Sequence, residues 1–310
     1  MENYLVLDVG GTFIKYALMD ADLTILEYGK APTPLDSLDG FLSAVRSISE
    51  HFSGQFAGVA VSLPGSVDTA NGVARTVGAL AYISNTPLAT LLQDCLGVPA
   101  TIANVAYCAA SAEAWNGALS DVNSGCVVVL GTGIGGGIVL DRKVWMGQSF
   151  SAGQFSALPA DFDGIYQGVS APDSPGLYSF WTGLVSASGL LHSYAVRKGL
   201  SPTGRGLDGV QFFAAYDAGE PETVETLQAF GKQAAAGIYA IQSVLDVQRF
   251  AIGGGISARP EVTAIIRESL ERLFSLLPFT PFPCPEIVTC RYGNDANLIG
   301  ALRFYLENKR

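Results

Sequence analysis

Short runs of apolar residues alternate along the chain with glycine-rich turns and amphipathic stretches. The runs Tyr4–Leu7 and Phe13–Met19 flank a glycine turn, which predicts a β-hairpin rather than a strand followed by a helix. A second copy of this pattern occurs further along, where Val127–Leu130 and Ile138–Leu140 flank the glycine-rich turn 131–137. The two hairpins indicate a duplicated, two-domain chain.

The same patterns predict the remaining elements. Apolar residues spaced three or four apart indicate helices, and continuous apolar runs bounded by turn residues indicate buried strands. The further predicted strands are 56–63, 100–103 and 250–252, and the predicted helices are 88–96, 106–119, 223–245 and 296–307. Gly253–Ser257 forms a third glycine turn at the end of a strand. Because strands alternate with helices, the predicted class is α/β.

Composition narrows the class of protein. Charged residues are 15% of the chain and hydrophobic residues 49%, whereas disordered chains are rich in charge and poor in apolar residues. Glycine is over-represented, with 36 residues out of 310. The formal net charge is −10, so the chain has no general attraction for nucleic acid or for a membrane surface, and we expect neither as a partner. We therefore expect any phosphate to be held by backbone N–H groups and a few side chains.

The cysteines and histidines are few and scattered. Five cysteines occur without a Cys-x-x-Cys pair, and the two histidines stand apart at His51 and His192. This pattern is typical of free thiols in a reducing compartment and gives a zinc site little to build on. The sequence also has no signal-peptide pattern and no stretch with the roughly 18 apolar residues of a membrane span. We expect a cytoplasmic protein without a zinc site.

The first glycine turn has the composition of a phosphate-binding loop. In the segment 8–15 (DVGGTFIK), glycines allow backbone N–H groups to approach a phosphate closely, and Thr12 adds a hydroxyl donor. Asp8 beside the turn is a candidate ligand for Mg2+, directly or through water. An ordinary β-hairpin with two glycines is the alternative, and this motif alone leaves both interpretations open.

The second turn contains the spacing Gly-x-Gly-x-x-Gly within residues 131–137. A dinucleotide-binding fold needs a helix next and an acidic residue about 20 positions later. Here the strand-like run Ile138–Leu140 follows, and no acidic residue lies between Lys143 and Ala160. The pattern therefore argues against a dehydrogenase.

Three glycine turns at strand ends, spread over both halves of the chain, indicate a nucleotide bound in a cleft between two domains. This is the arrangement of the actin, Hsp70 and sugar-kinase architecture, a ribonuclease H-like ATPase fold with a central interdomain cleft. We predict an N-terminal α/β domain over 1–117, completed by the C-terminal helix 296–310, and a C-terminal α/β domain over 118–295. The predicted cofactors are ATP and Mg2+. The predicted nucleotide contacts are Asp8, Gly10, Gly11, Thr12, Lys15, Gly131, Thr132, Gly133, Gly135, Gly253, Gly254 and Gly255.

Five segments together resemble the ROK family of sugar kinases and repressors. They are DVGGTFIK at 8–15, SLPGSVD at 62–68, GTGIGGGIV at 131–139, AIGGGIS at 251–257 and GNDANLIGAL at 293–302. The stretch 81–112 looks most like the β-glucoside-kinase subgroup. The resemblance implies transfer of the ATP γ-phosphoryl group to a sugar hydroxyl with Mg2+. It also implies sugar contacts at Gly65, Asn104 and Gln154, and it makes a homodimer an open expectation.

The resemblance also bears on a role in DNA binding. The family's repressors carry a helix-turn-helix ahead of the first phosphate motif. Here that motif begins at Asp8, which leaves no room for such a segment, and the acidic charge agrees. We therefore do not expect a repressor.

The sequence departs from the family pattern where the resemblance places catalysis. The family's catalytic segment reads Asn-Asp-Ala-Asn, whereas residues 104–107 read Asn-Val-Ala-Tyr. Val105 thus stands at the position of the carboxylate that takes the proton from the sugar hydroxyl, and valine cannot accept a proton. The family's sugar-binding glutamate aligns with Gln154, and the histidine or tyrosine that follows it aligns with Ala157.

Two hypotheses follow from these departures. A general base contributes about 10²–10⁴-fold to a rate, so the first hypothesis is an ATP-dependent sugar kinase with weak activity. Glu113 lies about 12 Å beyond Val105 on the predicted helix, too far to replace the base, and only unforeseen folding could bring Asp68 or Asp163 into place. The second hypothesis is a non-catalytic pseudokinase that binds nucleotide, and sugar, in a regulatory or sensing role. The nucleotide motifs are kept while the sugar-side residues are altered, which leaves both hypotheses open.

Overall fold

The computed structural model describes residues 2–168, 175–201 and 207–308, over which strands alternate with helices as predicted. The described strands are β1 (Asn3–Val9), β2 (Phe13–Asp20), β3 (Ile25–Pro32), β4 (Val59–Leu63), β5 (Ser66–Asp68), β6 (Val73–Thr76), β7 (Ala100–Asn104), β8 (Gly125–Leu130), β9 (Ile134–Leu140), β10 (Lys143–Trp145), β11 (Arg249–Gly253) and β12 (Glu286–Thr289). The described α-helices are α1 (Leu38–His51), α2 (Leu88–Leu96), α3 (Val105–Asn116), α4 (Trp181–Val185), α5 (Ala187–Arg197), α6 (Gly209–Asp217), α7 (Pro221–Leu245), α8 (Pro260–Leu276) and α9 (Ala296–Asn308). Residues 309–310, where the predicted C-terminal helix ends, lie outside the described residues.

The chain forms two compact units. The first contains the chain up to Gly117, the segment Lys143–Ala152 and the chain from Asn294 onward, and the second contains Ala118–Arg142 and Gly153–Gly293. Helix α9 therefore belongs with the N-terminal unit. The segment Lys143–Ala152 belongs there as well, although the sequence analysis places it within the C-terminal domain, because a short excursion of this kind leaves no mark on composition or periodicity.

The first unit is built on a five-stranded sheet with the order β3-β2-β1-β4-β7. Strands β1, β4 and β7 are parallel, and their register sets Asp8 beside Ser62 and Leu63 beside Asn104. Asp8 and Asn104 thus lie at the same carboxyl-terminal edge of the sheet, two strands apart. Strand β1 is buried along almost its whole length because it is a central strand. Helices α3 and α9 pack against each other, and α9 also covers β1, β4 and β7.

The second unit contains a sheet in which β9, β8, β11 and β12 are neighbours in that order. Strands β8, β11 and β12 are parallel, whereas β8 and β9 form an antiparallel hairpin. The register sets Gly253 beside Val129, so the third glycine turn begins beside the turn that joins β8 to β9. The apolar positions of α7 face inward with the predicted spacing, and α8 packs against this helix.

The turn of the second hairpin is shorter than the sequence predicts. The prediction of a turn over 131–137 is wrong, because β9 begins at Ile134 and the turn contains Gly131–Gly133 only. Gly135 is a strand residue that pairs with Val129. A Cβ at Gly136 would overlap the ring of Phe155. The glycine at 136 therefore serves close packing, which a sequence cannot distinguish from a turn.

The other predicted elements are found with small changes at their ends. The helix predicted over 223–245 is α7, and the strand predicted over 56–63 begins only at Val59. Within the described ranges, no helix has both the length and the apolar character that crossing a membrane requires.

Candidate functional site

The glycine turn between β1 and β2 is held through its backbone. The Gly10 N–H donates a hydrogen bond to the Phe13 carbonyl at 3.0 Å, and the Thr33 hydroxyl donates to the Gly10 carbonyl at 2.8 Å. The Thr33 N–H donates to the Thr12 carbonyl at 3.0 Å. Gly11 and Thr12 are exposed, so the tip of the turn is open to a ligand, as a phosphate-binding loop requires.

Asp8 lies near the end of β1, opposite Lys15 on β2. It is 7% exposed, its carboxylate accepts a hydrogen bond from the Asn297 amide at 3.1 Å, and the Nζ of Lys15 lies 3.8 Å away. Burial raises the pKa of Asp8 above its usual value, although Lys15, Asn297 and Ser62 act in the opposite direction. The structure thus brings two predicted site residues, Asp8 and Lys15, to one point.

The donor set at Asp8 fits a Mg2+ ion that is held mainly by a nucleotide. In phosphoryl-transfer sites Mg2+ is bound by one or two carboxylates together with phosphate oxygens and water. Asp8 offers one such carboxylate. Among the described residues, no group of three or more His, Cys, Asp or Glu side chains could hold a metal ion by itself.

Asn104 links the end of β7 to the start of α3. Its side-chain oxygen accepts a hydrogen bond from the Ala106 N–H at 2.8 Å, which caps the helix, and its amide donates to the Gly65 carbonyl at 2.5 Å. Gly65 has a φ of +85°, and a Cβ there would overlap the Thr76 carbonyl, so this position requires glycine. The structure brings these two predicted sugar-contact residues together and gives each a structural role.

Val105 is the first residue of α3 and is half-buried. Tyr107 in the same helical turn is fully buried, and its hydroxyl donates a hydrogen bond to the Ala152 carbonyl at 2.9 Å. Burial raises the pKa of Tyr107 to about 12, so its phenol is neutral near pH 7 and is no base. Tyr107 thereby ties α3 to the segment Lys143–Ala152 within the first unit.

The carboxylates considered as replacements for the missing base have other surroundings. Glu113 is fully buried near the far end of α3. Asp68 accepts hydrogen bonds from the Asn71 amide at 3.0 Å and from the Arg75 guanidinium at 2.6 Å. Burial acts to raise the pKa of Asp68, but these hydrogen bonds outweigh it and lower the pKa below its usual value. Asp68 is therefore a structural residue of the β5–β6 turn, and Asp163 is an exposed residue of the second unit.

The turn between β8 and β9, Gly131–Gly133, is anchored at both ends. The Gly131 carbonyl accepts a hydrogen bond from the N–H of Ala187, the first residue of α5, at 2.8 Å. On the other side, the Ile134 N–H donates to the Thr182 hydroxyl at 3.1 Å. The tip of this turn is exposed, so its backbone is accessible in the same way as that of the first turn.

The third glycine turn, Gly253–Gly255, passes directly against the end of β8. Gly254 has a φ of +93°, and a Cβ there would overlap the Leu130 backbone. The Ser257 hydroxyl donates a hydrogen bond to the Gly254 carbonyl at 2.8 Å, which holds the turn. A Cβ at Gly255 would meet open space, so this residue faces a void rather than packed protein.

A cavity of about 590 Å³ opens beside these two turns in the second unit. Its walls come from the end of β8, the start of α5, helix α6 and the turn after β11. The lining is mainly apolar and includes Val210, Phe213 and Ile256. The charged residues Asp217 and Arg259 also line it and form an ion pair with each other. Its volume is within the usual range for small-molecule sites.

Gln154 belongs to the second unit, whereas Gly65, Asn104 and Val105 belong to the first. It is exposed and precedes the short 3-10 turn Phe155–Ala157. Its carbonyl accepts a hydrogen bond from the Ala157 N–H at 3.0 Å, which holds this 3-10 turn.

A family comparison identifies this arrangement. The model of the ROK family matches residues 4–308, almost the whole chain. The chain belongs to the ROK family. A solved ROK family protein from Streptococcus pneumoniae, in complex with sucrose, is 26% identical, covers 99% of both chains and superimposes with a TM-score of 0.83. The predicted two-domain α/β sugar-kinase fold is therefore confirmed.

Sugar kinases are among the ROK relatives of this chain. The β-glucoside kinase of Klebsiella pneumoniae is 30% identical over 296 residues, which cover 95% of this chain and 93% of that protein. The N-acetyl-D-glucosamine kinase of Vibrio atlanticus is 27% identical over 307 residues, which cover 96% of this chain and 98% of that protein. The resemblance to ROK β-glucoside kinases that the sequence suggests is confirmed.

Several residues at the candidate site of this ROK chain are not predicted from the sequence. Asn297 lies in the segment 293–302 that carries the family resemblance, but its contact with Asp8 depends on the packing of α9 and could not be foreseen. Phe213, Asp217 and Arg259 line the cavity without belonging to any recognised motif. The only signal for them was the position of Arg259 just after the third glycine turn.

Proposed function

We propose that this ROK protein binds Mg·ATP and transfers the γ-phosphoryl group, at a low rate, to a hydroxyl of a hexose or glucoside. One observation carries the proposal. The hydrogen bond between the Asn104 amide and the Gly65 carbonyl is present, yet the residue that follows Asn104 at the start of α3 is Val105. The backbone and hydrogen bonds around the start of α3 are thus kept, while the proton acceptor that the family resemblance implies is replaced by an apolar side chain.

The nucleotide side rests on the two glycine hairpins and the cavity. We assign phosphate contacts to the exposed tips of the two turns, Gly11–Thr12 and Thr132–Gly133, because backbone N–H groups in tight turns favour anions. The predicted contacts of the Gly10 and Gly131 N–H groups are not kept, because these groups donate to the Phe13 and Gly133 carbonyls. The nucleoside is assigned to the cavity beside Gly253–Gly255, whose apolar walls suit a base. Asp8 would hold Mg2+ together with the nucleotide, and Lys15 adds a positive charge nearby. When bound, Mg2+ neutralises the charge of the phosphates.

The reaction itself needs a place for one proton. The acceptor oxygen forms a bond to the γ-phosphorus, the bond from that phosphorus to the β–γ bridging oxygen breaks, and the hydroxyl proton leaves. Val105 cannot take this proton, so it passes to solvent, and the loss is about 10²–10⁴-fold in rate. Phosphoryl transfer relies mostly on positioning and electrostatics, which is why slow transfer survives.

The class of acceptor is proposed from the sugar kinases among the relatives, and its contacts from the three residues that the family resemblance places at the sugar site. One relative is a β-glucoside kinase and another an N-acetyl-D-glucosamine kinase, so the acceptor class is a hexose or a glucoside. Gly65, Asn104 and Gln154 are proposed to contact it. Gln154 keeps hydrogen-bonding capacity but lacks the charge of the glutamate that the resemblance implies, so acceptor binding is expected to be weaker.

A second candidate function is a non-catalytic pseudokinase that binds nucleotide and sugar as a regulator or sensor. The same substitution at Val105 favours it, together with Gln154 and Ala157 on the sugar side. In this case the phosphate-binding turns serve binding alone, and the ligand-bound state rather than a product carries the function.

Two measurements separate these candidates. Calorimetric titration with ADP in the presence of Mg2+ tests the nucleotide site, and the absence of both heat and a thermal shift at millimolar ligand would overturn it. ADP release from Mg·ATP is then followed with hexoses, β-glucosides and amino sugars, against an acceptor-free control. Slow acceptor-dependent release supports the kinase, and binding without such release supports the pseudokinase. Turnover at the ordinary kinase rate of about 1–100 s⁻¹ would contradict both.

A further inference from the structure

Ser62 is the one polar side chain in a buried strand of the first unit. Strand β4 reads VAVSL and is buried along its whole length, and Ser62 itself is 0% exposed. Its hydroxyl forms no hydrogen bond with any described residue. A buried hydroxyl of this kind is costly, because it has lost its contacts with water and gained none in return. An alanine would avoid that cost, so the serine calls for a role.

The carboxylate of Asp8 lies beside Ser62 on the neighbouring strand. The parallel register of β1 and β4 pairs the two residues, so their side chains project from the same face of the sheet. Burial raises the pKa of Asp8 and of the Cys108 thiol, and Ser62 acts in the opposite direction on the pKa of both. The Ser62 hydroxyl is therefore close to both groups, although it lacks the geometry of a hydrogen bond with either.

Asp8 has hydrogen-bond acceptor capacity to spare. Its Oδ1 accepts a hydrogen bond from the Asn297 amide at 3.1 Å, and its Oδ2 lies 3.8 Å from the Nζ of Lys15. An ionised carboxylate has about four acceptor sites, so it can accept a further donor. The Cys108 thiol is a weaker partner for Ser62, because sulfur is a poor donor and a poor acceptor. The pair that the geometry favours is therefore Ser62 and Asp8.

We propose that Ser62 is a positioning residue for Asp8, and that its hydroxyl donates a hydrogen bond to the Asp8 carboxylate when this carboxylate holds Mg2+ with the nucleotide. Side chains that bind a metal are themselves commonly held by a hydrogen bond, and a bond from a hydroxyl to a carboxylate is short and strong. Ser62 is fully buried and acts only through Asp8. This inference rests on the proposed Mg2+ site.

The affinity of the protein–ADP complex for a divalent cation tests the inference. Mn2+ is the probe, because it prefers the same oxygen ligands as Mg2+ and its unbound form is measured by electron paramagnetic resonance. We expect the dissociation constant of Mn2+ to rise by about 10–100-fold in Ser62→Ala, which is the usual effect of removing the partner of a metal-binding side chain. An unchanged constant would overturn the inference.

The matched control is Ser49→Ala. Ser49 is also a buried serine of the first unit, but its hydroxyl donates to the Arg46 carbonyl within α1. This substitution should leave the Mn2+ constant unchanged. A rise equal to that in Ser62→Ala would show that the loss of any buried hydroxyl has the same effect, and would contradict the specific role of Ser62.

A double substitution tests whether Ser62 acts through Asp8. Once Asp8→Ala has removed the carboxylate, the Ser62 hydroxyl has nothing to position. Adding Ser62→Ala to Asp8→Ala should therefore change the Mn2+ constant by less than about twofold, whereas two independent contributions would multiply. Full multiplication of the two losses would contradict the positioning role.

Thermal unfolding without nucleotide or metal separates this role from a structural one. Ser62→Ala should unfold at the same temperature as the natural protein or slightly above it, because the substitution removes a buried hydroxyl that has no partner. A clear fall would show that the hydroxyl already stabilises the fold, which would contradict the inference.

The natural protein distinguishes failure of this inference from failure of the proposed function. If it does not bind ADP, the proposed function fails and this inference fails with it. If its ADP complex binds Mn2+ no more tightly than free ADP does, the assignment of the metal to Asp8 fails, and the role of Ser62 with it. If the complex binds Mn2+ more tightly than free ADP and Ser62→Ala changes nothing, this inference alone is wrong.

Discussion

The amide of Asn104 donates a hydrogen bond across 2.5 Å to the carbonyl of Gly65, and this contact joins the end of β7 to the turn after β4. The same side chain caps α3 through the Ala106 N–H. The position that follows Asn104 is therefore fixed by two independent contacts. Val105 therefore has a fixed position at the start of α3, which is what the proposed loss of a proton acceptor from an otherwise intact sugar site requires.

Substitution of Asn104 should destabilise the protein. Asn104→Ala removes the helix cap and leaves the Gly65 carbonyl without its donor, so the free energy of unfolding should fall by about 2–3 kcal/mol. Urea unfolding followed by circular dichroism measures this. The control is Asn123→Ala at an exposed asparagine, which should change stability by less than about 0.5 kcal/mol. Equal effects of the two substitutions would show that the contacts of Asn104 contribute nothing.

Gly254 should be far less tolerant of a side chain than another glycine whose φ is also positive. Gly254 and Gly219 both have positive φ, at +93° and +79°, but a Cβ at Gly254 would overlap Leu130 whereas one at Gly219 would meet open space. Gly254→Ala should therefore lower the free energy of unfolding by about 1–3 kcal/mol more than Gly219→Ala. Thermal and urea unfolding of the two variants checks this, and equal losses would mean that β11 and β8 are not in close contact there.

Tyr107 predicts a specific loss of stability at alkaline pH. Burial raises the pKa of Tyr107 to about 12, so the folded chain keeps this proton at pH values where the unfolded chain, with a pKa of about 10, has lost it. Its contribution is complete below about pH 10 and is lost as the pH rises toward 12. The free energy of unfolding should therefore fall less steeply between pH 10 and 12 in Tyr107→Phe than in the natural protein.

A series of urea unfolding curves at increasing pH measures this difference. Tyr28→Phe, at an exposed tyrosine on β3, is the matched control and should keep the steep pH dependence. If Tyr107→Phe retains the same slope as the natural protein, the phenol of Tyr107 is not buried as described.

Much of the fold could be predicted because local patterns and tertiary packing agree in most elements. Helix α7 and the β1–β2 hairpin are examples. In α7 the apolar residues spaced three or four apart lie on the buried side of the helix, and in the hairpin the apolar run of β1 is buried. The sequence predicts too long a turn at 131–137 because Gly136 resembles a turn residue, whereas in the structure Gly136 is a strand residue that leaves room for the ring of Phe155. Glycine that is needed for close packing carries no local signal of that role.

The candidate site could be predicted only in part, for a related reason. Asp8, Lys15, Asn104 and Gly65 lie in recognisable motifs, and the structure groups them at the edge of one sheet. The pairing of Arg259 with Asp217 joins positions that are far apart in sequence, and no periodicity or motif specifies it. Long-range side-chain partners of this kind follow from packing alone.

The central claim is that the chain keeps a working phosphotransfer scaffold and that its low rate comes mainly from the missing proton acceptor at Val105. Its most direct test is the acceptor-dependent rate of ADP release from Mg·ATP by the natural protein, Val105→Asp and Val105→Asn. Aspartate is also well tolerated in the first turn of a helix, so folding should be preserved. The account predicts that Val105→Asp is faster than the natural protein by about 10²–10⁴-fold, while Val105→Asn, which has the same shape but cannot accept the proton, stays at the natural rate. Equal rates for all three proteins would contradict it.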